Sequence, residues 1–267
     1  MNDRLVVRKA LIFSMALTVA LVAGCDSADR TTGSAPSADV PAPFSTAPTT
    51  PAAPSAEPSS PAKPAKPPKP LKLRTGAKGP KVLALQQRLA GLGYWNGKHD
   101  GTFGGLTQQA VYAVQKAAGI SRDGVVGPKT QKALDQGVRP KAKSTKGHVV
   151  EISLKRQLLM FVDNGKITQI FNTSSGSNQN YEYEGQTYLA DTPTGHFKVS
   201  RQIDGWRHGP LGPLWRPKYF NGGIAVHGAP SVPPYPASHG CTRVTNAAMN
   251  WIWTNNKLPI KTKVWVY

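Results

Sequence analysis

Ser238-His239-Gly240-Cys241-Thr242-Arg243 is the stretch on which the reading of this 267-residue chain turns. Cys241 is one of only two cysteines. His239 stands two residues before it, and His227 ends an apolar run, Gly222-Gly223-Ile224-Ala225-Val226. A thiol with an imidazole in reach is the minimum equipment for nucleophilic catalysis. From spacing alone, either histidine could take the proton. His227, His239 and Cys241 also imitate three metal ligands, but no fourth is suggested, and thiol chemistry accounts for them with less. No metal and no cofactor are expected.

The flanking sequence predicts a mostly β domain over residues 148–267. Val149-Val150-Glu151-Ile152-Ser153-Leu154 and Leu158-Leu159-Met160-Phe161-Val162 read as strands. A turn centred on Asn164-Gly165 leads into a third strand, 166–174. Further short strands are expected at 197–200, 223–226 and 264–266. One helix is expected over 246–255, capped by Thr245 or Asn246. Cys241 would then sit just before a helix start, which lowers a thiol's pKa, as a neighbouring His⁺ does. Gly240 leaves backbone N–H groups free to face a substrate carbonyl as an oxyanion hole. Tyr181-Glu182-Tyr183-Glu184 and the stretch 206–219 fall outside the strand pattern. Loops on a rigid scaffold commonly carry binding groups, so Tyr183, Trp215 and Tyr219 are candidates for substrate contact, with plain packing equally open.

Three separated motifs now stand in order: Asp191-Thr192-Pro193-Thr194-Gly195-His196-Phe197, Ile224-Ala225-Val226-His227-Gly228 and Ser238-His239-Gly240-Cys241-Thr242-Arg243. Together they resemble the signature of the L,D-transpeptidases, and the resemblance covers residues 148–267. It implies a β-sandwich-like catalytic fold in which Cys241 is the nucleophile and His227 the general base. Gly228 would orient the imidazole through its backbone. Ser238, His239, Gly240 and Arg243 would shape the pocket and the oxyanion site. Arg243 stands where many members have Asn. The loop 229–237, with Pro230, Pro233, Pro234 and Pro236, should stiffen the link between base and nucleophile.

The implied chemistry is a two-step acyl transfer. Cys241 attacks the carbonyl of the diamino acid at position three of a peptidoglycan tetrapeptide stem and expels D-alanine. The side-chain amine of a neighbouring stem then takes the thioester, giving a 3→3 cross-link, and a carbapenem would acylate the same thiol. With water as acceptor the enzyme would be an L,D-carboxypeptidase. With an inert domain the chain would be a non-catalytic wall-binding lipoprotein. A papain-like endopeptidase fits less well, because its cysteine usually precedes its histidine by a long interval.

Upstream, residues 73–137 predict a small helical module. Val82, Leu85, Leu89 and Leu92 recur at helical spacing. Thr107 could cap a second helix carrying Ala110, Val111, Val114 and Ala118, and Pro128 could open a third, with Ala133 and Leu134 inward. Asp100-Gly101-Thr102-Phe103-Gly104 and Asp123-Gly124-Val125-Val126-Gly127-Pro128 form two similar turns. These residues, with Leu92-Gly93-Tyr94 and Gln115, resemble the peptidoglycan-binding domain 1 family across the whole segment. The resemblance implies a three-helix module that holds the wall; a helical spacer that binds nothing is the plainer alternative. Residues 138–147 read as a basic linker.

The N-terminal region reads as an address. Arg4, Arg8 and Lys9 precede a run over 10–23 that is apolar except for Ser14 and Thr18. The run falls short of the ~20 residues a membrane span needs and suits a signal peptide over 1–24. Leu21-Val22-Ala23-Gly24-Cys25 resembles a lipobox. It implies that Cys25 is lipidated and that the chain is exported and anchored to the outer face of the cytoplasmic membrane, facing the wall. Residues 25–72 are rich in Pro and Ala and read as an extended tether. Cys241 is then the one free thiol of an exported protein, a candidate reactive group. The net charge of +19 is spread out. Residues 73–137 carry nine Lys/Arg against three Asp/Glu, and 148–267 twelve against six. No basic block and no nucleic-acid motif stands out, so general attraction to an acidic surface is expected rather than nucleic-acid reading.

Overall fold

The computed structural model describes residues 72–267. The expectations placed on the leader, on Cys25 and on the tether lie outside these residues. The described residues fall within one compact unit, Pro64–Tyr267.

The helical module has three helices, α1 (Pro80–Gly91), α2 (Gly105–Ala118) and α3 (Pro128–Asp135). Proline opens α1 and α3, where its missing N–H costs nothing. The two similar turns do the same job twice. Gln86 of α1 donates to Asp100 Oδ1, the Thr102 carbonyl and Thr107 Oγ1, and its Oε1 accepts from Gly101 N–H. Gln115 of α2 repeats the pattern on Asp123, Val125, Thr130 and Gly124. Each buried amide thus pins one Asp-Gly turn to the helix that follows. Thr107 is therefore not a cap: α2 begins at Gly105 after Gly104, and the Thr107 hydroxyl faces inward to Gln86.

The C-terminal part contains β1 (His148–Ser153), β2 (Leu158–Asp163), β3 (Lys166–Asn172), β4 (Asn180–Tyr183), β5 (Gln186–Leu189), β6 (Gly195–Lys198), β7 (Arg201–Gln202), β8 (Trp206–Gly209), β9 (Gly212–Asn221), β10 (Ile224–Ala229) and β11 (Thr242–Thr245), then α4 (Asn246–Thr254) and β12 (Lys263–Val266). One sheet has the order β3-β2-β1-β12-β6, and a second has β11-β10-β9-β7 with β8 paired to β9. β4 and β5 form a separate hairpin. Val150, Ile152, Leu159 and Phe161 of the first sheet meet Phe220, Val226 and Val244 of the second and Met249 and Ile252 of α4 in one core. This is the expected mostly β fold, a sandwich with one helix packed into its core.

β2 explains the place of the helical module. Its sequence is apolar at five successive positions, as in a strand covered on both faces. Leu159 and Phe161 face the sandwich core, while Leu158, Met160 and Val162 face Leu85, Leu89, Val111 and Val114 of the module. The module also closes the sheet's edge: Trp95 N–H donates to the Ile170 carbonyl at 3.0 Å, and Ile170 N–H donates to that of Gly93 at 2.8 Å. The basic segment 138–147 is tied down by the buried Glu151 carboxylate, which accepts from Lys143 and Ser144 N–H, Ser144 Oγ and Tyr267 Oη.

Two further expectations need correction. The stretches 181–184 and 206–219 are not loops; they build the hairpins β4–β5 and β8–β9. Their sequence shows no strand pattern because β4, β5 and β8 have no buried position, so no alternation of apolar residues marks them. The helix does start at Asn246 as expected, but Cys241 does not abut it. β11 intervenes, running parallel to β10 with His227 opposite Arg243. Thr245 does cap α4, its Oγ1 accepting from Ala248 N–H at 3.1 Å.

Candidate active site

β10 carries the site. Ala225 and His227 are two residues apart, so both project to one face of the strand. Ala225 N–H points at Cys241 Sγ, 3.4 Å away. His227 and Cys241 line the same cleft, of about 560 Å³, with Ile224, Ser238, His239 and Arg243. His227 is buried and Cys241 half-buried. His227 Nδ1 donates to the Gly228 carbonyl at 2.9 Å. That bond fixes the tautomer, leaving Nε2 unprotonated. Gly228 must be glycine, since a Cβ there would stand 2.7 Å from Asn246 Oδ1 and 2.8 Å from Trp215 Cδ1.

The nucleophile loop is held from below. Ser238 Oγ accepts from Gly240 N–H at 3.0 Å and donates to the Cys241 carbonyl at 2.6 Å. The Gly240 amide is therefore spent on Ser238 rather than offered to the cleft. Thr192 Oγ1 donates to the Gly240 carbonyl at 2.6 Å and accepts from Gly176 N–H at 2.9 Å. Gly240 has φ +142°, and a Cβ would stand 2.8 Å from the Asp191 carbonyl. The upstream Thr-Pro segment thus reaches the site as a backbone clamp. Arg243 donates to the Ala237 carbonyl at 3.2 Å.

Burial pulls the His227 imidazole down to about 4, against a smaller upward pull from its bond to Gly228. Burial also pushes the Cys241 thiol up, opposed by Ala225 N–H and by the Arg243 charge. The lowered thiol expected beside a helix start is not found: burial outweighs the Ala225 N–H and the Arg243 charge. The resting pair is a neutral thiol beside a neutral imidazole.

The remaining residues divide. His239 is exposed on the cleft rim, edge-on to Tyr181 with ring centroids 4.7 Å apart. Tyr181 lines the cleft, whereas Tyr183 lies at the turn end of its hairpin, bonded to Glu184. Trp215 backs the base: it pairs with Gly228 across the strands and donates to Asn250. Tyr219 is 5% exposed beneath the Arg201 guanidinium, 3.7 Å from its ring, and packs. The tip of the β8–β9 hairpin, Leu211 and Gly212, also lines the cleft. Of the three candidates, then, Trp215 and Tyr219 pack and Tyr183 lies outside the cleft lining, while their neighbours Tyr181, Leu211 and Gly212 line it. Thr192 and Asp191 lay in a recognised motif, but their role needs the 48-residue contact to Gly240.

Comparison with known proteins agrees with this geometry. The L,D-transpeptidase catalytic domain model matches residues 147–266, and the peptidoglycan binding domain model matches 78–134. The solved structure of an L,D-transpeptidase (residues 123–326) from Xylanimonas cellulosilytica DSM 15894 is 56% identical, with a TM-score of 0.73, over 76% of this chain and all of that one. The N-acetylmuramoyl-L-alanine amidase CwlL of Bacillus licheniformis is 46% identical over 78 residues, 28% of this chain and 22% of that protein. The spore cortex-lytic enzyme of Oceanobacillus iheyensis is 32% identical over 133 residues, 49% of this chain and 47% of that protein. The chain thus spans less than half the length of these two curated relatives.

Proposed function

The chain belongs to the L,D-transpeptidase family, and on that premise we propose that it forms 3→3 cross-links in peptidoglycan through a thioester on Cys241. The observation that carries the reading is the His227–Gly228 bond, which leaves Nε2 as a proton acceptor in the cleft that holds Cys241. His227 takes the thiol proton as Sγ attacks the position-three carbonyl of a donor stem. The C–N bond to D-alanine breaks, and the departing amine takes that proton. The side-chain amine of an acceptor stem then attacks the thioester, His227 accepts its proton, and the thiol leaves. A neutral imidazole suits this role, since a general base must start unprotonated.

Arg243 supplies the positive edge of the cleft, and the exposed His239 a hydrogen-bonding one. The helical module supports peptidoglycan as its partner. The reading includes export, a lipid on Cys25 and acylation of Cys241 by carbapenems.

Purified tetrapeptide stems, incubated with the chain and followed by mass spectrometry, test the reaction. Dimeric stems that lose D-alanine are expected. Trimmed tripeptides alone would make the enzyme a carboxypeptidase, and unchanged stems would overturn the catalytic reading.

A further inference from the structure

Nothing in the acyl-transfer scheme uses Lys116. It lies on α2 in the helical module, is 2% exposed, and sends its ammonium out of that module into the sheet domain. There it donates to the carbonyls of Gln157 and Thr173, each at 2.9 Å, and to Asn172 Oδ1. A charged lysine has three N–H donors and no acceptor, so three oxygens saturate it. None of the three partners is a carboxylate. Burial, with Arg122 adding to it, pulls the group down, but each of the three oxygens around Nζ needs a proton, and only the ammonium has three to give. An apolar side chain in this position would serve stability at lower cost, because buried charge is a poor device for stability.

The residues that Lys116 grips lead to the site. Thr173 Oγ1 donates to the Arg243 carbonyl at 2.7 Å, and Ser174 and Arg243 exchange both backbone bonds. The Ser175 carbonyl accepts from Ala237 and Ser238 N–H, while the Gln157 side chain holds Ser175 on two sides. Segment 172–175 therefore holds the chain on both sides of Cys241. Gln109 sits two turns before Lys116 on the same face of α2. It donates to the Val232 carbonyl at 3.0 Å and accepts from Asn172 at 2.5 Å. Arg122, just past α2, donates to the Pro234 carbonyl at 3.0 Å. Val232 and Pro234 belong to the loop that joins the His227 strand to Cys241.

We propose that Lys116 is a positioning residue for the cysteine site, supplied by the helical module: with Gln109 it fixes segment 172–175 and the 229–237 loop, and so sets how His227 and Cys241 face each other. The inference rests on Cys241 being the nucleophile. It gives the module a part in the chemistry that is independent of any hold on wall polymer.

The test is carbapenem acylation of the full chain, resolved by intact mass into a binding constant and a maximal acylation rate. Lys116→Met is compared with the wild type, with Thr173→Val, with the double variant and with the surface control Lys81→Met. The expected result is a folded Lys116→Met protein whose maximal rate falls at least tenfold while its binding constant stays within about twofold. The loss in the double variant should be less than the product of the single losses, because both changes cut one chain of contacts. A purely stabilising lysine would lower the melting temperature and leave the maximal rate alone, and that result would overturn the proposal. If Lys116→Met does not fold, Gln109→Ala replaces it, and an unchanged maximal rate there overturns the proposal equally. A wild-type chain that forms no adduct would sink the nucleophile reading and this inference with it. An adduct formed equally fast in folded variants would sink the inference alone.

Discussion

His227 gives its Nδ1 proton to the carbonyl of the next residue, Gly228, 2.9 Å away. The imidazole is thus oriented by its own backbone, with a carbonyl rather than a carboxylate at Nδ1. A backbone carbonyl holds the tautomer but adds no full negative charge to stabilise an imidazolium. This agrees with a base that rests neutral and is charged only while it carries the thiol's proton.

We expect His227→Ala to lower the maximal rate of Cys241 acylation by about 10²–10⁴, the usual range for losing a positioned general base. His239→Ala should cost less than about tenfold, since that ring is exposed and leans on Tyr181. Cys241→Ala should abolish the adduct. Intact-mass kinetics on the three variants gives the order, and a larger loss for His239→Ala would exchange the roles.

The buried His227 should also shape stability. Its imidazole titrates near 4 in the folded chain and near 6.5 when unfolded. Above pH 6.5 both states are neutral and the residue contributes no pH dependence. As pH falls from 6.5 to 4 the unfolded chain gains a proton that the folded chain refuses, so stability drops, by up to about 3 kcal/mol. Denaturant midpoints across this range should show the slope in the wild type and a flatter one in His227→Gln. Parallel curves would contradict a neutral buried imidazole.

The thiol should behave oppositely to a preformed thiolate. Burial raises Cys241, while Ala225 N–H and Arg243 oppose the rise. Its iodoacetamide alkylation should therefore inflect at a higher pH than that of a free cysteine, and Arg243→Ala should move the inflection higher still. An inflection below neutrality would show a thiolate–imidazolium pair instead.

Thr192→Val keeps the shape of the side chain and removes its two bonds. It leaves the Gly176 amide and the Gly240 carbonyl buried without their partner. Such groups cost about 1–3 kcal/mol, so a matching loss in denaturant stability is expected, with slower acylation. Gly240→Ala should be worse, because φ +142° and the Asp191 carbonyl both oppose a Cβ. Wild-type acylation in Gly240→Ala would show that the loop has another conformation.

Much of this was legible in the chain. The Ser238–Arg243 stretch, the apolar run ending at His227 and the Asn164-Gly165 turn carry local signals, and local signals survive without the fold. The four module leucines and valines named by their spacing are buried where expected. What could not be read depends on partners distant in sequence. Tyr183 and Tyr181 are alike in sequence, and only the hairpin's placement puts Tyr181 beside His239. Tyr219 reads as a binding aromatic until Arg201 is seen covering it. The raised thiol was not legible either, because it comes from burial under partners distant in sequence. Lys116 gave no signal at all, since a lysine on an amphipathic helix reads as solvated.

β2 carries apolar side chains on both faces, and the second face is covered by the helical module. A version of the protein without residues 73–137 would bare Leu158, Met160, Val162, Ile167 and Ile170 on one side of the sheet, a contiguous patch of the kind that drives self-association. The two parts should melt in a single calorimetric step. They should lose structure together in denaturant as well, since the interior of the sheet and that of the module are one.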